Sequence, residues 1–334
     1  TYPLLRKLRV QVVRVNLYWG GRFGVAKRRP AAATNPNDRA YNWALFDRAV
    51  TFANRHGMKV LFTIMYTPSW ANGGRSGNVA PRNPEDLRKF AFAAARRYSG
   101  TFAPARTRVR LPAVKLWLAW NEPNNPINLT PQYRRVGSTW VVQSAVDYAK
   151  ICAAVYAGVH GTRVAGERVA CGATAPHGNN HPTSIRPSVS PLAFLRALKK
   201  AGLRNFDAYA HHPYYGSPRE TPTTMPPSRT AVTLANIGDL TKEVTRLYGP
   251  KRIWLTEYGY QTSPPDRQFG VSWANQARYL TQAYAIARRN PRIDMMLWFL
   301  LRDDSRVANG WQSGLFTSTG VRKPAYDAFR KLPH

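Results

Sequence analysis

Apolar strands alternating with amphipathic helices along nearly the whole chain, a core strand that is apolar on both faces, and a length of 334 residues predict an α/β fold. The architecture they point to is a (β/α)8 barrel of TIM type, built as a single domain over residues 1–334. Strands of a parallel sheet covered by helices on both faces read as continuous apolar runs, and Met58–Met65 is such a run. Right-handed crossovers between parallel strands would bring every strand's C-terminal end to one rim.

Tyr2–Arg9 has amphipathic helical spacing and leads into Val10–Trp19, a strand rich in β-branched residues. Arg14 and Asn16 share a face of that strand with Val12, and an Arg in such a run is costly unless it meets a carboxylate. After a loop rich in Gly, Pro and Asn, Trp43–His56 repeats apolar residues at helical spacing and stops at Gly57. The end of the Met58–Met65 strand turns through Tyr66–Trp70 into Asn72-Gly-Gly, which puts Tyr66 and Trp70 on a rim loop. Pro84–Tyr98 is a helix with Glu85 and Asp86 in its first turn, where the helix dipole favours acids. Strand Val114–Trp120, a helix over about Tyr133–His160, strand Arg168–Ala173, a polar rim loop containing His177 and His181, and helix Pro191–Ala201 follow.

Phe206–Tyr215 reads as a strand ending in clustered imidazoles and phenols. Ser217–Thr230, rich in Ser, Thr and Pro, is a loop over the mouth, because the strand–helix alternation resumes after it. Helix Val232–Tyr248, strand Ile253–Tyr260, helix Ser272–Arg289, strand Ile293–Leu301, the stretch Trp311–Phe316 and helix Lys323–Leu332 complete the chain. Seven strands are counted where the barrel has eight. The opening helix precedes its strand, so the first strand is absent from this chain and is expected upstream of Thr1.

Lys and Arg number 49 against 17 Asp and Glu, a net charge of +32 that suits an anionic partner such as an acidic polysaccharide. The basic residues are spread along the chain, as in Arg96–Arg97 and Arg288–Arg289, which favours a solvated surface and weighs against nucleic acid. Phosphate-cradling loops and zinc-ligand spacings are absent, so no cofactor or metal is implied. No apolar run is long enough to span a membrane, and the missing initiator Met together with an expected polymeric substrate suggests secretion. Cys152 and Cys171 are the only cysteines, and their spacing leaves open whether they pair. The oligomeric state is not legible.

Against that scarcity of acids, two glutamates sit alike. In Trp117-Leu-Ala-Trp-Asn-Glu-Pro-Asn124, counting back by twos from Glu122 gives Trp120, Leu118 and Leu116, so Glu122 closes an apolar column and its pKa should rise through lost hydration. In Ile253-Trp-Leu-Thr-Glu-Tyr-Gly-Tyr260 the same count puts Ile253 and Leu255 on the face of Glu257. Two carboxyls at the C-terminal rim of a parallel barrel are the equipment of a glycosidase. One must carry a proton for the leaving oxygen and the other must be ionised, so their surroundings have to separate their pKa values. Aromatic residues Trp19, Tyr66, Trp70, Tyr215 and Trp311 are candidates to stack on sugar faces.

These motifs, Trp-Asn-Glu-Pro-Asn at 120–124, Trp-Leu-Thr-Glu-Tyr-Gly at 254–259, His-Pro-Tyr at 212–214 and Trp298 near the end of the last strand, resemble the retaining glycoside hydrolases of clan A, especially families 5 and 39. The resemblance runs from the Arg14 strand to the final helix. It implies that Glu122 is the acid/base and Glu257 the nucleophile, and that Asn121 hydrogen-bonds the sugar 2-hydroxyl. It further implies that Arg14 keeps Glu257 ionised, that Tyr214 hydrogen-bonds it, that His212 lies near the same site, and that Trp298 floors the first sugar subsite. Two rivals are a metal-dependent hydrolase and a non-catalytic, basic barrel that binds polysaccharide or nucleic acid. The first is disfavoured because neighbours His211 and His212 point opposite ways from a regular strand and cannot share one ion.

Overall fold

The computed structural model describes residues 1–105 and 107–333. Its elements in chain order are α1 (Tyr2–Lys7), β1 (Val12–Tyr18), α2 (Ala44–Arg55), β2 (Lys59–Met65), α3 (Ser69–Asn72), α4 (Pro84–Arg97), β3 (Leu116–Ala119), β4 (Arg134–Val136) and β5 (Thr139–Val141). They continue with α5 (Gln143–His160), β6 (Arg168–Thr174), α6 (Pro191–Lys200), β7 (Ala208–His211), α7 (Ile237–Tyr248), β8 (Arg252–Tyr258), α8 (Trp273–Arg289), β9 (Ile293–Trp298) and α9 (Pro324–Arg330).

Seven strands form one parallel sheet in the order β1-β2-β3-β6-β7-β8-β9, so each of its strands pairs with the next one that joins this sheet, the β4–β5 hairpin lying outside it. That winding curls the sheet into the larger part of a (β/α) barrel, with β1 and β9 as its two edges. Seven is the number of strands expected from the sequence. Along its concave face Leu61, Leu118, Ala170, Ala173, Ala208, Ala210 and Trp254 pack together, flanked by half-buried Val12, Leu116, Met295 and Leu297. Four alanines make room for one indole. At about 25 cal/mol per Å2, burying an aromatic side chain of roughly 200 Å2 contributes about 5 kcal/mol, so Trp254 is the main filler of this layer. Its Nε1 donates to Asp294 (3.2 Å), and Asp294 also pairs with Arg168 (2.7 Å), whose guanidinium lies over the Trp254 ring.

The outer layer is larger. Residues of the opposite parity, among them Phe62, Trp117, Val169, Cys171, Tyr209, Ile253 and Leu255, face the helices and share a core with Phe46, Phe90, Tyr148 and Phe194. Among the described residues no helix is long and apolar enough to cross a membrane.

The expected helix Tyr133–His160 begins only at Gln143, because Arg134–Val136 and Thr139–Val141 form an antiparallel hairpin. Gly137 adopts a left-handed φ of 58° at its turn, and Val136, Thr139, Trp140 and Val141 favour strand geometry. Helix α7 likewise starts at Ile237 rather than Val232, since the Asn236 side chain accepts from the backbone of Thr233 and ties that stretch into a turn.

Cys152 on α5 and Cys171 on β6 form a disulfide, which settles the pairing that their spacing left open. It ties α5 to the strand beneath it across 19 residues. Replacing both cysteines by Ser should lower the unfolding free energy by about 3 kcal/mol while leaving the fold intact, as read by denaturant titration with circular dichroism. A variant as stable as the parent would show that packing alone holds α5 in place.

Candidate active site

The rim above β2, β3 and β6 departs from regular strand geometry in the same place on each strand. Tyr66, Trp120, Glu122 and Ala173 have φ of 64°, 65°, 38° and 46°, a left-handed region that costs a non-glycine residue of order 1–3 kcal/mol each. Surrounding hydrogen bonds hold them there. Glu122 N donates to Ala173 O and Trp120 N to Ile64 O, both at 2.8 Å, while Trp120 Nε1 donates to Asn128 O at 2.7 Å. Buried Asn124 clamps the segment to the end of β6, donating to Ala175 O and Val189 O and accepting from Ala175 N. Tyr148 supports it from below, its hydroxyl donating to Ala119 O and accepting from Gly172 N.

This geometry corrects the expected column beneath Glu122. Leu116 and Leu118 face the barrel interior, but Trp120 packs with the outer core, because β3 stops at Ala119 and the backbone turns left-handed. The column beneath Glu257 is corrected more sharply. Ile253 and Leu255 face the helices, whereas Trp254 and Thr256 face inward. Between Leu255 and Tyr258 strand β8 advances three residues while β9 advances two, from Met296 to Trp298. This bulge adds the residue that turns Glu257 into the mouth.

Arg14, reaching up from the inner face of β1, organises what meets there. Its Nη1 donates to Glu257 Oε1, its Nη2 to Asn121 Oδ1 (2.6 Å) and its Nε to Thr63 Oγ1 (2.7 Å). Tyr214 donates its hydroxyl to the other oxygen of Glu257 at 3.0 Å. His212, fully buried, places Nδ1 3.0 Å from Glu122 Oε1 and 3.7 Å from Glu257 Oε2. Among the described residues Glu122, His212 and Glu257 each offer one donor atom within 4.8 Å of the others, so an oxygen of each carboxylate lies within that distance of its counterpart. Both oxygens of Glu257 accept hydrogen bonds, from Arg14 and Tyr214, so the trio is a hydrogen-bonded cluster.

Burial alone would raise the Glu257 carboxyl pKa. The charges of His212 and Arg14 and the hydrogen bonds from Tyr214 and Arg14 outweigh it and hold the group below the usual carboxylate range. Buried Tyr214 is pushed well above its ordinary value, first by burial and then by the negative charges of Glu257 and Glu122, so its hydroxyl stays a donor. His211, adjacent to His212, points away: it contacts Thr174 Oγ1 and Val232 O, and burial draws its pKa down to about 3.

The structure thus gathers Arg14, Asn121, Glu122, His212, Tyr214 and Glu257 into one cluster. Tyr66 stands at the rim, stacked on Tyr18 at 5.7 Å and edge-on to Trp120. Trp70 instead packs edge-on against Trp19 beneath the Arg29 guanidinium, and its Nε1 donates to Ala26 O. Trp19 is fully buried and Tyr215 stacks on Tyr260 at 4.1 Å, so neither is a free plate for a sugar. Trp298 does not have the place the resemblance implies. Met295 and Leu297 take the inward face of β9, while Trp298 packs with the outer layers against Tyr258 and donates to Ser313 O. The indole beside Tyr214 is Trp311, at 5.1 Å and partly exposed. Thr63, Asn124, Tyr148 and Thr256 also support the cluster; Asn124 and Thr256 lie within the two glutamate motifs, but the sequence marks none of the four for this role.

Removing the Arg14 charge tests the electrostatics. A carboxyl depressed in the folded state adds stability above its unfolded pKa of about 4.3, and that stability is lost as pH falls through the lower folded value. Arg14→Met should therefore cost about 3 kcal/mol at neutral pH, and the gap to the parent should narrow below about pH 4. Urea unfolding at both pH values reads this; a gap independent of pH would show that Arg14 acts by packing alone.

In fold the chain resembles solved glycoside hydrolase structures. A family 39 glycoside hydrolase from Bacteroides cellulosilyticus WH2 matches 98% of this chain and 59% of its own, with 19% identity and a TM-score of 0.64. A glucosidase from Croceicoccus marinus matches 98% and 62%, with 15% identity and a TM-score of 0.71. A fungal β-1,4-galactanase matches 99% and 90%, with 14% identity and a TM-score of 0.59. The chain spans about three fifths of the length of the first two. No curated protein matches in sequence. The match to a family model covers residues 117–333, well over half of the sequence, and by it the chain belongs to the family of unknown function DUF5722.

Proposed function

We propose that this protein is a retaining β-glycoside hydrolase, with Glu257 as nucleophile and Glu122 as acid/base. The observation that carries the proposal is the carboxylate pair itself: an oxygen of each within 4.8 Å of the other, on opposite sides of one mouth. Double displacement uses carboxyls about 5–5.5 Å apart, whereas inversion leaves roughly 6.5–9.5 Å for a water. The surroundings suit different tasks. Arg14 and Tyr214 secure Glu257 as the ionised group that attacks the anomeric carbon. Glu122 has an imidazole as its partner in place of a guanidinium, which fits a group that gives a proton to the leaving oxygen and takes one back from water. Asn121, oriented by Arg14, is assigned to the sugar 2-hydroxyl.

The substrate is a β-linked oligo- or polysaccharide, and the net charge of +32 favours an anionic one. The fold-level likeness to a family 39 glycoside hydrolase, a glucosidase and a galactanase supports the glycosidase class across different sugars. The Cys152–Cys171 disulfide supports action outside the reducing cytosol.

A product-resolved screen over neutral and acidic β-glycans tests the reading, with proton NMR following the anomer first released. Retention is expected, and Glu122→Gln or Glu257→Ala should each lower turnover by about 100-fold or more. Inverted product, or a full-rate variant of either glutamate, overturns the assignment. Salt-dependent binding without hydrolysis would favour the non-catalytic alternative. Because Glu257 titrates below the usual range, the acidic limb of kcat/KM should fall below about pH 4.3.

A further inference from the structure

Thr256 directly precedes Glu257 and is almost completely buried. Its hydroxyl lies 2.9 Å from His212 Nε2. A hydroxyl can either give or take in such a contact, so that distance alone does not say which nitrogen of His212 carries the proton. Arg14 decides it. Arg14 Nη1 approaches the same Nε2 at 3.5 Å, and a guanidinium has donors only. The two N–H groups of Nη1 are directed at Glu257 Oε1 and Thr256 O, so Arg14 bears on Nε2 through its positive charge, which disfavours a proton there, while a lone pair on Nε2 accepts from Thr256. The opposite nitrogen then holds the ring's single N–H, and that nitrogen is the one facing Glu122 at 3.0 Å and Glu257 at 3.7 Å.

We propose that Thr256 is a positioning residue for the hydrolase proposed above: its hydroxyl, together with Arg14, sets the tautomer that His212 takes whenever its ring is uncharged as the one protonated on Nδ1, which aims one N–H at both carboxylates. The consequence follows from the order of the two half-reactions. While Glu257 is the free carboxylate, both acceptors are within reach of Nδ1–H. Once Glu257 Oε1 or Oε2 has bonded to the anomeric carbon and lost its negative charge, Glu122 has given up its proton and becomes the sole full anion beside the ring. The N–H then stabilises Glu122 as the base that activates water. In the opposite tautomer Nδ1 would present a lone pair to Glu122, repelling the carboxylate that the second half-reaction needs.

Two threonine substitutions separate the hydroxyl from the methyl. Thr256→Val keeps the shape and removes the donor, and Thr256→Ser keeps the donor. In protein carrying 15N-labelled histidine, His212 is assigned by its loss in His212→Gln and recorded at a pH where the ring is uncharged. The parent and Thr256→Ser should show a protonated Nδ1 and an unprotonated Nε2, and Thr256→Val should show a mixture. Turnover should fall by about 10- to 100-fold in Thr256→Val with KM little changed, and return to within about 2-fold of the parent in Thr256→Ser. A parent protonated on Nε2, a valine variant with an unchanged tautomer, or a tautomer shift that leaves turnover intact would each overturn the proposal. The spectra do not depend on hydrolysis. A tautomer that responds as expected in a protein that cleaves no glycan would therefore refute the hydrolase reading and leave the proton assignment standing.

Discussion

A single guanidinium ties together parts of the fold that are far apart in sequence. Arg14 rises from the first strand of the sheet and bonds to Thr63 on β2, Asn121 beyond β3, and both the backbone and the carboxylate of the β8 end. An Arg on the inner face of a barrel strand loses most of its water, and each of these acceptors replaces part of it. Glu257 needs the same exchange in reverse, being drawn inside by a bulge and kept charged there by Arg14. Neither residue is tolerable alone at its position, so the pair is at once a structural bond across the barrel and the source of an ionised carboxylate in its mouth.

The remaining geometry of the mouth depends on backbone that a regular strand would not supply. Tyr66, Trp120, Glu122 and Ala173 occupy left-handed conformations at neighbouring strand ends, and β8 carries its bulge at the same level. Strain of this kind persists only where other bonds over-determine it. Here the buried carboxamide of Asn124 and the hydroxyl of Tyr148 do so, one gripping the loop from above and the other joining the ends of β3 and β6. The carboxylates are thus aimed by rigid, fully bonded segments.

The barrel was legible because its strands and helices obey simple periodicities, and the two glutamates because acids are scarce in a chain with 49 basic residues. Arg14 was legible through the cost of burying it unpaired, and His212 and Tyr214 through the His-Pro-Tyr motif that resembles one in known hydrolases. The faces on which the glutamates sit were not. Counting by twos places Glu257 with Ile253 and Leu255, and it fails because a bulge changes parity without leaving a Gly or Pro to mark it. The column under Glu122 fails for another reason, the left-handed turn at Trp120 just after β3 ends, and the β8 bulge also hides Thr256, which looks like an ordinary β-branched strand residue. Trp298 shows the limit of transfer by resemblance: its position in sequence fits the pattern, but strand parity sends its ring outward, and Trp311 from a later loop stands beside Tyr214.

The excess of arginine gives the difference between the two glutamates its meaning. With 17 acids among 49 bases, several carboxylates are taken by guanidinium groups, as Asp47 is by Arg97, Glu243 by Arg196 and Arg246, and Asp294 by Arg168 and Arg252, while Asp207 pairs with His160 and Asp303 with Lys323. Glu257 belongs to the first group and Glu122 does not. Its partner is the imidazole of His212. Keeping arginine away from one carboxylate in so basic a chain requires that its neighbours be filled by other groups. The backbone strain at Trp120 and Glu122, the clamp of Asn124 and the imidazole fixed through Thr256 together fill them. The contrast between the two glutamates therefore lies as much in what surrounds Glu122 as in the guanidinium beside Glu257.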